Sequence, residues 1–313
     1  MKWLLVVDPI RLMLALIWGV LFLATCIVYV LRAKQPQRDH TELVQRTQTW
    51  WLILILFTLA LLAGRIASLC LIGFISFLAL KEFFSMIPTR RADRSVLLWA
   101  YLTIPIQYYW VGINWYGMFI IFIPVYMFLL FPLRMQFGRE TKGFIKAVGT
   151  IQWGVMLTVF AFSHLAYLLN LPPLKTMQVG GAGLFLYCLF LTEINDVNQY
   201  ICGKLFGKHK IIPAISPNKT WEGFLGGIII TTLLAMIIHS WLTPFTTWEA
   251  VASGILISVT GFVGDINISA VKRDLNIKET GGSLPGHGGI LDRIDSLLFT
   301  SMLFFHFTYY LYY

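Results

Sequence analysis

Acidic and basic side chains are concentrated near the end of an otherwise apolar chain, in residues 265–295. Within this stretch, the segment "SLPGHGGILDRIDS" (residues 283–296) places three glycines around His287 and then two aspartates around an arginine. Carboxylates bind hard cations such as Mg²⁺, and clustered lysine and arginine bind phosphate. Phosphoryl and nucleotidyl transfer require this combination, because their transition states spread negative charge over phosphate oxygens.

The first candidate carboxylate, Asp265, follows fifteen residues without a charge, 250–264. A carboxylate at that depth in an apolar segment is unfavourable unless it is paired or binds a cation. If the segment is helical, Asp265, Ser269 and Lys272 lie on one face. Asp292 stands at the entry to the next apolar segment. Two carboxylates from two helices, with the Ser269 hydroxyl beside one of them, predict an oxygen-ligand site for Mg²⁺.

A second polar cluster comes earlier, in residues 193–222. Asp196 stands near the end of an apolar segment. Ser216 precedes a proline, which predicts a helix N-cap followed by proline at the first helical position. Lys219 and Thr220 would then lie in the first turn, where free N–H groups and the helix dipole favour an anion. The alternative is an ordinary helix start followed by packing glycines.

The composition defines the class of protein that must position these residues. Of 313 residues, 58% are hydrophobic and 12% are charged, against about 25% charged in soluble domains. Long apolar runs recur throughout, which predicts an all-α polytopic membrane protein rather than a barrel. The first run lacks a cleavage pattern and is interpreted as a retained span. The net charge of +9 is explained by cytoplasmic loops, so no nucleic-acid partner is expected.

Other site classes lack their motifs in this sequence. No GxxxxGK[ST] pattern is present, which excludes a P-loop site. The four cysteines are far apart and form no CxxC, so they are interpreted as core thiols rather than metal or redox ligands.

Ten apolar segments predict about nine to ten transmembrane helices. They lie near residues 10–31, 50–64, 66–84, 95–110, 114–133, 147–169, 180–200, 223–242, 250–269 and 296–313. The second and third are short for a bilayer and could instead form one long segment. Ten spans place every lysine- and arginine-rich loop on one side of the membrane, so we prefer two separate spans.

This arrangement predicts where the polar clusters lie. Loops 201–222 and 270–295 face the cytoplasm together. Residues 1–145 form an N-terminal set of transmembrane helices, and residues 146–313 form the C-terminal catalytic region.

The polar segments resemble one known family. "SAVKRDLNIKETGGSLPGHGGILDRIDS", residues 269–296, closely resembles the signature of the phosphatidate cytidylyltransferases, or CDP-diacylglycerol synthases: a serine, KR, an acidic-lysine pair, PGHGG and DRxDS. Upstream, "ND" at 195–196, "GKLFGKHK" and "SPNKTWEGFLGG" are similar to further family blocks in the same order. The strong match covers residues 193–296. The N-terminal half shares only its multi-span character and a "KEFF" at 81–84.

The resemblance implies an activity and its partners. The family joins CTP to phosphatidic acid, giving CDP-diacylglycerol and pyrophosphate at the membrane. It uses Mg²⁺, with K⁺ also implicated. The implied location is a bacterial inner membrane, with the active site facing the cytoplasm. A homodimer is compatible with the family and with the glycine-bearing helices, although glycine faces also pack within one chain.

The resemblance also implies residue roles. Asp265 and Asp292 match the metal-binding aspartates, with Ser269 beside them. For His287, phosphate hydrogen bonding, loop structure and proton handling stay open, the last least favoured because a dianionic phosphate is already a competent nucleophile. The predicted catalytic residues are Asp265, Asp292, Lys272, Arg273 and His287. The predicted substrate-binding residues are Asp196, Ser216, Lys219, Thr220, Lys278 and Arg293.

Three residues depart from the family pattern and bear on which lipid phosphate is the acceptor. Ile268 replaces an acid that many members carry, Glu279 follows Lys278 where the family has a KD pair, and Gln199 replaces a small residue. They leave open transfer to another lipid phosphate. A non-catalytic transporter or membrane partner that kept the fold is a further alternative, which the intact acids disfavour.

Overall fold

The computed structural model describes residues 9–35, 37, 39–88, 90, 94–138, 141–174, 179–286 and 288–313. The predicted site residue His287 lies outside these described residues. The described part of the chain is built from helices, here numbered in chain order: α1 Pro9–Lys34, α2 Thr41–Ala63, α3 Arg65–Met86, α4 Arg94–Gly112, α5 Tyr116–Gln136, α6 Phe144–Leu168, α7 Gly180–Phe206, α8 Trp221–Leu242, α9 Thr247–Asp274 and α10 Leu291–Tyr312. Helices α5 and α6 each include a π-helical stretch, Phe122–Met127 and Met156–Ala161.

These helices bear out an all-α membrane architecture. Each apolar segment predicted from the sequence matches one of them, and no segment extends more than two residues beyond its helix. Among the described helices, seven are long and apolar enough to cross a bilayer: α1, α2, α3, α5, α6, α8 and α9. The number of helices that cross the membrane therefore stays a prediction beyond these seven.

The two short segments near residue 64 form two helices rather than one. Helix α2 ends and α3 begins at Gly64, whose φ of 102° is readily accessible only to glycine. Thr49 near the start of α2 and Glu82 near the end of α3 both contact residues 283–291. The two helices are therefore antiparallel, and both of their polar ends lie beside the segment that carries PGHGG.

Helices α7, α8, α9 and α10 pack against one another and carry the predicted site. Glycines set the closest approaches between them. A Cβ on Gly223 of α8 would come within 2.7 Å of the Gln199 carbonyl oxygen on α7. A Cβ on Gly264 of α9 would overlap the carbonyl oxygen of Asp295 on α10. Gly264 thus lets α10 lie directly against the turn of α9 that presents Asp265.

Replacing Gly264 by alanine tests this contact. We expect Gly264→Ala to destabilise the protein by about 1–3 kcal/mol, because the added methyl group pushes α10 away from α9. The measurement is thermal unfolding of the purified protein in detergent. The matched control is Gly149→Ala, which adds the same methyl group to a helix where no atom lies within 4 Å. Equal behaviour of the two variants would contradict the close packing.

Candidate active site

The first centre of the site is Asp265 on α9. Its Oδ2 lies 2.7 Å from Nζ of Lys219, and its Oδ1 accepts a hydrogen bond of 3.2 Å from the Ser269 hydroxyl. Lys219 also donates to Oε1 of Gln199 at 3.2 Å and lies 5.3 Å from the centroid of the Phe262 ring. The predicted pairing of Asp265 with Ser269 on one helical face is confirmed.

The second centre is Asp292 in the first turn of α10. Its side chain is only 5% exposed, and Oδ1 lies 2.7 Å from Nζ of Lys272. Oδ2 accepts hydrogen bonds from the Thr280 amide at 2.8 Å, the Thr280 hydroxyl at 2.9 Å and the Gly289 amide at 3.2 Å. Charge-assisted hydrogen bonds of this kind fix a carboxylate in one orientation. Asp292 is therefore held both by a cation and by the loop that precedes its helix.

Two more carboxylates lie near Asp265. Asp196 of α7 and Asp295 of α10 both interact electrostatically with it. Asp295 is buried, and its Oδ1 accepts the Ser296 amide at 2.8 Å. Oδ1 of Asp196 is buried and has no hydrogen-bond partner within the described part of the chain. Neighbouring carboxylates repel one another when ionised, and a nearby positive charge offsets this repulsion. Lys219 supplies one such charge.

The proposed metal ligands are only partly brought together. Asp265 and Ser269 are in contact, but Asp292 is paired with Lys272 rather than with the Asp265 group. Among the described residues, no set of three or more His, Cys, Asp and Glu side chains has the arrangement of a metal site. The assignment of Mg²⁺ to Asp265, Asp292 and Ser269 therefore stays a prediction.

The start of α8 differs from the sequence-based expectation. The N-cap is Thr220, whose hydroxyl accepts the Gly223 amide at 3.2 Å. Ser216 lies instead in a turn, where its carbonyl oxygen accepts the Lys219 amide at 3.4 Å. The prediction of an N-cap at Ser216 is wrong, because residues 210 and 220 pair as a short antiparallel bridge and hold the intervening chain as a loop. Lys219 consequently precedes the helix, from where its side chain contacts Asp265.

The remaining predicted basic residues lie on the same end of the molecule. Arg273 donates to the carbonyl oxygens of Ile215 at 3.1 Å and Ile277 at 3.5 Å. Its guanidinium therefore connects loop 201–222 with loop 270–295. Lys278 and Arg293 are exposed.

One buried carboxylate beside the site was not identified by the sequence motifs. Glu82 of α3 accepts hydrogen bonds from the Ser283 hydroxyl at 2.6 Å and from the Leu291 amide at 2.9 Å. The only signal for it in the sequence was the short "KEFF" at 81–84, which is too brief to be specific by itself.

The sequence is similar to known proteins over most of its length. The sequence model of the cytidylyltransferase family matches residues 44–311. The chain belongs to this family. The match begins within α2 and ends within α10, so it covers both the C-terminal acids and Glu82.

Three relatives illustrate the similarity. The chain is 43% identical to the uncharacterized protein YnbB of Escherichia coli (strain K12) over 294 residues, which are 94% of this chain and 96% of that protein. It is 33% identical to the phosphatidate cytidylyltransferase of Bacillus subtilis (strain 168) over 264 residues, 82% of this chain and 94% of the relative. A phosphatidate cytidylyltransferase of Mycobacterium bovis is 37% identical over 161 residues, about half of each chain (51% and 52%).

Proposed function

We propose that this protein transfers the cytidylyl group of CTP to phosphatidic acid, giving CDP-diacylglycerol and pyrophosphate. The observation that carries the proposal is the pair of lysine–aspartate contacts, Lys219–Asp265 and Lys272–Asp292, where α8, α9 and α10 meet. Membership of the cytidylyltransferase family supports cytidylyl transfer as the reaction. The relatives named phosphatidate cytidylyltransferase support phosphatidate as the acceptor.

The reaction is an in-line substitution at phosphorus. A phosphate oxygen of phosphatidic acid forms a bond to the α-phosphorus of CTP, and the bond from that phosphorus to the β-phosphate oxygen breaks. Pyrophosphate leaves with the electron pair of the broken bond. The lysine cations Lys219 and Lys272 stabilise the charge that develops on the phosphate oxygens. Arg273, by joining the two loops, keeps both lysines at one reaction centre.

Mg²⁺ is the proposed cofactor. The residues proposed to hold it are Asp265, Ser269 and Asp292. Asp292 would become available as a ligand when the Lys272 ammonium moves from it to a phosphate group of the substrate. Asp295 is buried near Asp265, and Oδ1 of Asp196 is a buried oxygen with no hydrogen-bond partner among the described residues. Oxygen atoms of this kind suit a hard cation. When bound, the ion would neutralise charge on the pyrophosphate leaving group. K⁺ as an additional ion stays a prediction from the family resemblance.

The site is proposed to face the cytoplasm from the inner membrane. Arg46, Lys219, Lys272 and Arg273 all lie at the end of the helices that carries the acids. Loops rich in lysine and arginine stay on the cytoplasmic side of a membrane. A site at the cytoplasmic ends of the helices would be accessible both to CTP in water and to a lipid headgroup.

An assay of the purified protein tests the proposal. We expect CTP, Mg²⁺ and phosphatidic acid in mixed micelles to give CDP-diacylglycerol and one pyrophosphate per lipid, measured by mass spectrometry and a pyrophosphate-coupled assay. Removing the metal with EDTA should stop the reaction, and adding back Mg²⁺ should restore it. A protein that forms no CDP-lipid from any acceptor would contradict the proposal.

A second acceptor class is favoured by one observation. Gln199 is buried beside Lys219, and its Nε2 has no hydrogen-bond partner within the described residues. A free amide donor there is suited to an acceptor with an additional polar group. Measuring kcat/KM for a panel of lipid phosphates with different backbones distinguishes phosphatidic acid from such an acceptor. Preference for another lipid phosphate over phosphatidic acid would replace the first acceptor with the second.

A further inference from the structure

Glu82 occupies an unusual position for a carboxylate. It lies near the end of α3, is only 7% exposed, and contacts a loop about 200 residues later in the chain. Its described partners are neutral donors: Oε1 accepts the Ser283 hydroxyl, and Oε2 accepts the Leu291 amide. Burying a charge is unfavourable without such hydrogen bonds, so the carboxylate and the loop depend on one another.

The Leu291 amide identifies what Glu82 stabilises. Leu291 is the first residue of α10, and the preceding N-cap residue, Ile290, provides no side-chain hydrogen bond. The first amides of a helix need an acceptor from outside the helix, and the positive end of the helix dipole favours a negative charge there. Glu82 meets both requirements from a different helix. It thus caps the helix whose first turn carries Asp292.

The same loop also binds Asp292. The Thr280 hydroxyl lies 2.9 Å from Oδ2 of Asp292 and 3.5 Å from Oε2 of Glu82. Gly289 donates its amide to Asp292, and a Cβ on this glycine would overlap both Thr280 and Glu82. The two carboxylates therefore bind neighbouring groups of one tightly packed loop, with the Thr280 hydroxyl close to both, and a displacement of Glu82 would displace the groups that orient Asp292.

Helix α2 holds the tip of this loop separately. Thr49 donates to the Pro285 carbonyl oxygen at 2.9 Å, and Arg46 donates to the Gly286 carbonyl oxygen at 3.0 Å. Gly286 has a φ of 74° and packs so closely on α2 that a Cβ would come within 2.9 Å of the Gln45 Cβ. These contacts fix the tip, whereas among the hydrogen bonds of the described residues only that of Glu82 joins the N-terminal helices to the first residue of α10.

We propose that Glu82 is a positioning residue: it caps α10 from the N-terminal half of the chain and thereby fixes the orientation of Asp292. The N-terminal helices are then part of the active centre rather than a membrane anchor alone. The kinetic consequence rests on the proposed cytidylyl transfer, whereas the structural consequence can be measured without it.

The test compares two variants of the full-length protein. Glu82→Leu removes both acceptors at similar volume, and we expect it to lower kcat about 10- to 100-fold, as loss of a supporting hydrogen bond does at other sites. We expect KM for CTP to change far less, because Glu82 does not contact substrate. Glu82→Gln keeps one acceptor oxygen for the Leu291 amide and should retain more activity than Glu82→Leu. Hydrogen exchange should accelerate in residues 280–291 of Glu82→Leu.

The matched control is Glu249→Leu. Glu249 also caps a helix, α9, through Thr246, but it lies at the opposite end of the bundle. We expect kcat and exchange in residues 280–291 to be unchanged in this control. If Glu82→Leu does not accumulate, Ser283→Ala removes a single donor to Glu82 and should show the same changes at smaller size.

Two results would overturn the inference. One is wild-type kcat and unchanged exchange in Glu82→Leu. The other is exchange that rises equally in all helices, which would mean a general structural role. If the unmodified protein forms no CDP-lipid, the proposed function fails, and the exchange comparison still decides the role of Glu82.

Discussion

Asp292→Asn is expected to reduce cytidylyl transfer about 100- to 1000-fold, the loss typical of removing one preorganised electrostatic group from an active site. The substitution preserves the shape of the side chain but removes its charge and replaces an oxygen by a donor. Lys272 would lose its ion-pair partner, and either Lys272 or the Thr280 and Gly289 amides would face an NH₂ group. Because the buried carboxylate is fixed by all of these groups, no small rearrangement restores its role.

The matched control for this prediction is Asp274→Asn. Asp274 is exposed at the end of α9, only two residues beyond Lys272, so the same loss of charge occurs in the same loop region. We expect its kcat to stay within about 3-fold of the unmodified protein, as is usual for exposed sites. Initial rates of CDP-lipid formation and thermal unfolding are measured for both variants. Full activity in Asp292→Asn would remove this residue from the mechanism.

The all-α fold class and the contact between Asp265 and Ser269 were predictable, because both depend on the spacing of residues within one segment of the sequence. Apolar run length located the helices of the described chain, since a helix that crosses a bilayer requires about 20 apolar residues. The four-residue spacing of Asp265 and Ser269 placed both on one helical face, and the structure joins them by a hydrogen bond.

Contacts between distant segments were not predictable in this way. Lys272 was placed on the face of Asp265, but its Nζ pairs with Asp292 on another helix. Glu82 reaches the site from α3, and no periodicity in the sequence relates residue 82 to residue 291. The start of α8 was misplaced because Ser216-Pro217 satisfies a helix-start pattern that the bridge between residues 210 and 220 overrides. In each case a tertiary contact decided what the local pattern left open.

Loss of Lys219 is the second prediction with a large expected effect. Lys219→Met is expected to lower kcat/KM for CTP about 100- to 1000-fold, because the variant keeps the length of the side chain but removes the cation that pairs with Asp265 and is proposed to stabilise phosphate charge. Lys219→Arg is expected to restore little of this loss. The ammonium fits between Asp265, Gln199 and the Phe262 ring, and the larger planar guanidinium requires different geometry. Lys34→Met, an exposed lysine at the end of α1, is the control.

A double variant decides whether Lys219 and Asp265 act as one unit. If the ion pair is the functional group, Asp265→Asn and Lys219→Met each remove most of the activity, and combining them removes little more. If Lys219 serves only to neutralise the partly buried Asp265, Asp265→Asn should partly rescue Lys219→Met, because the uncompensated charge near Asp196 and Asp295 is then reduced. Thermal unfolding of the four proteins, measured beside kcat/KM, separates the two cases. Rescue of stability without rescue of activity would assign the lysine to the chemistry, and rescue of both would assign it to the fold.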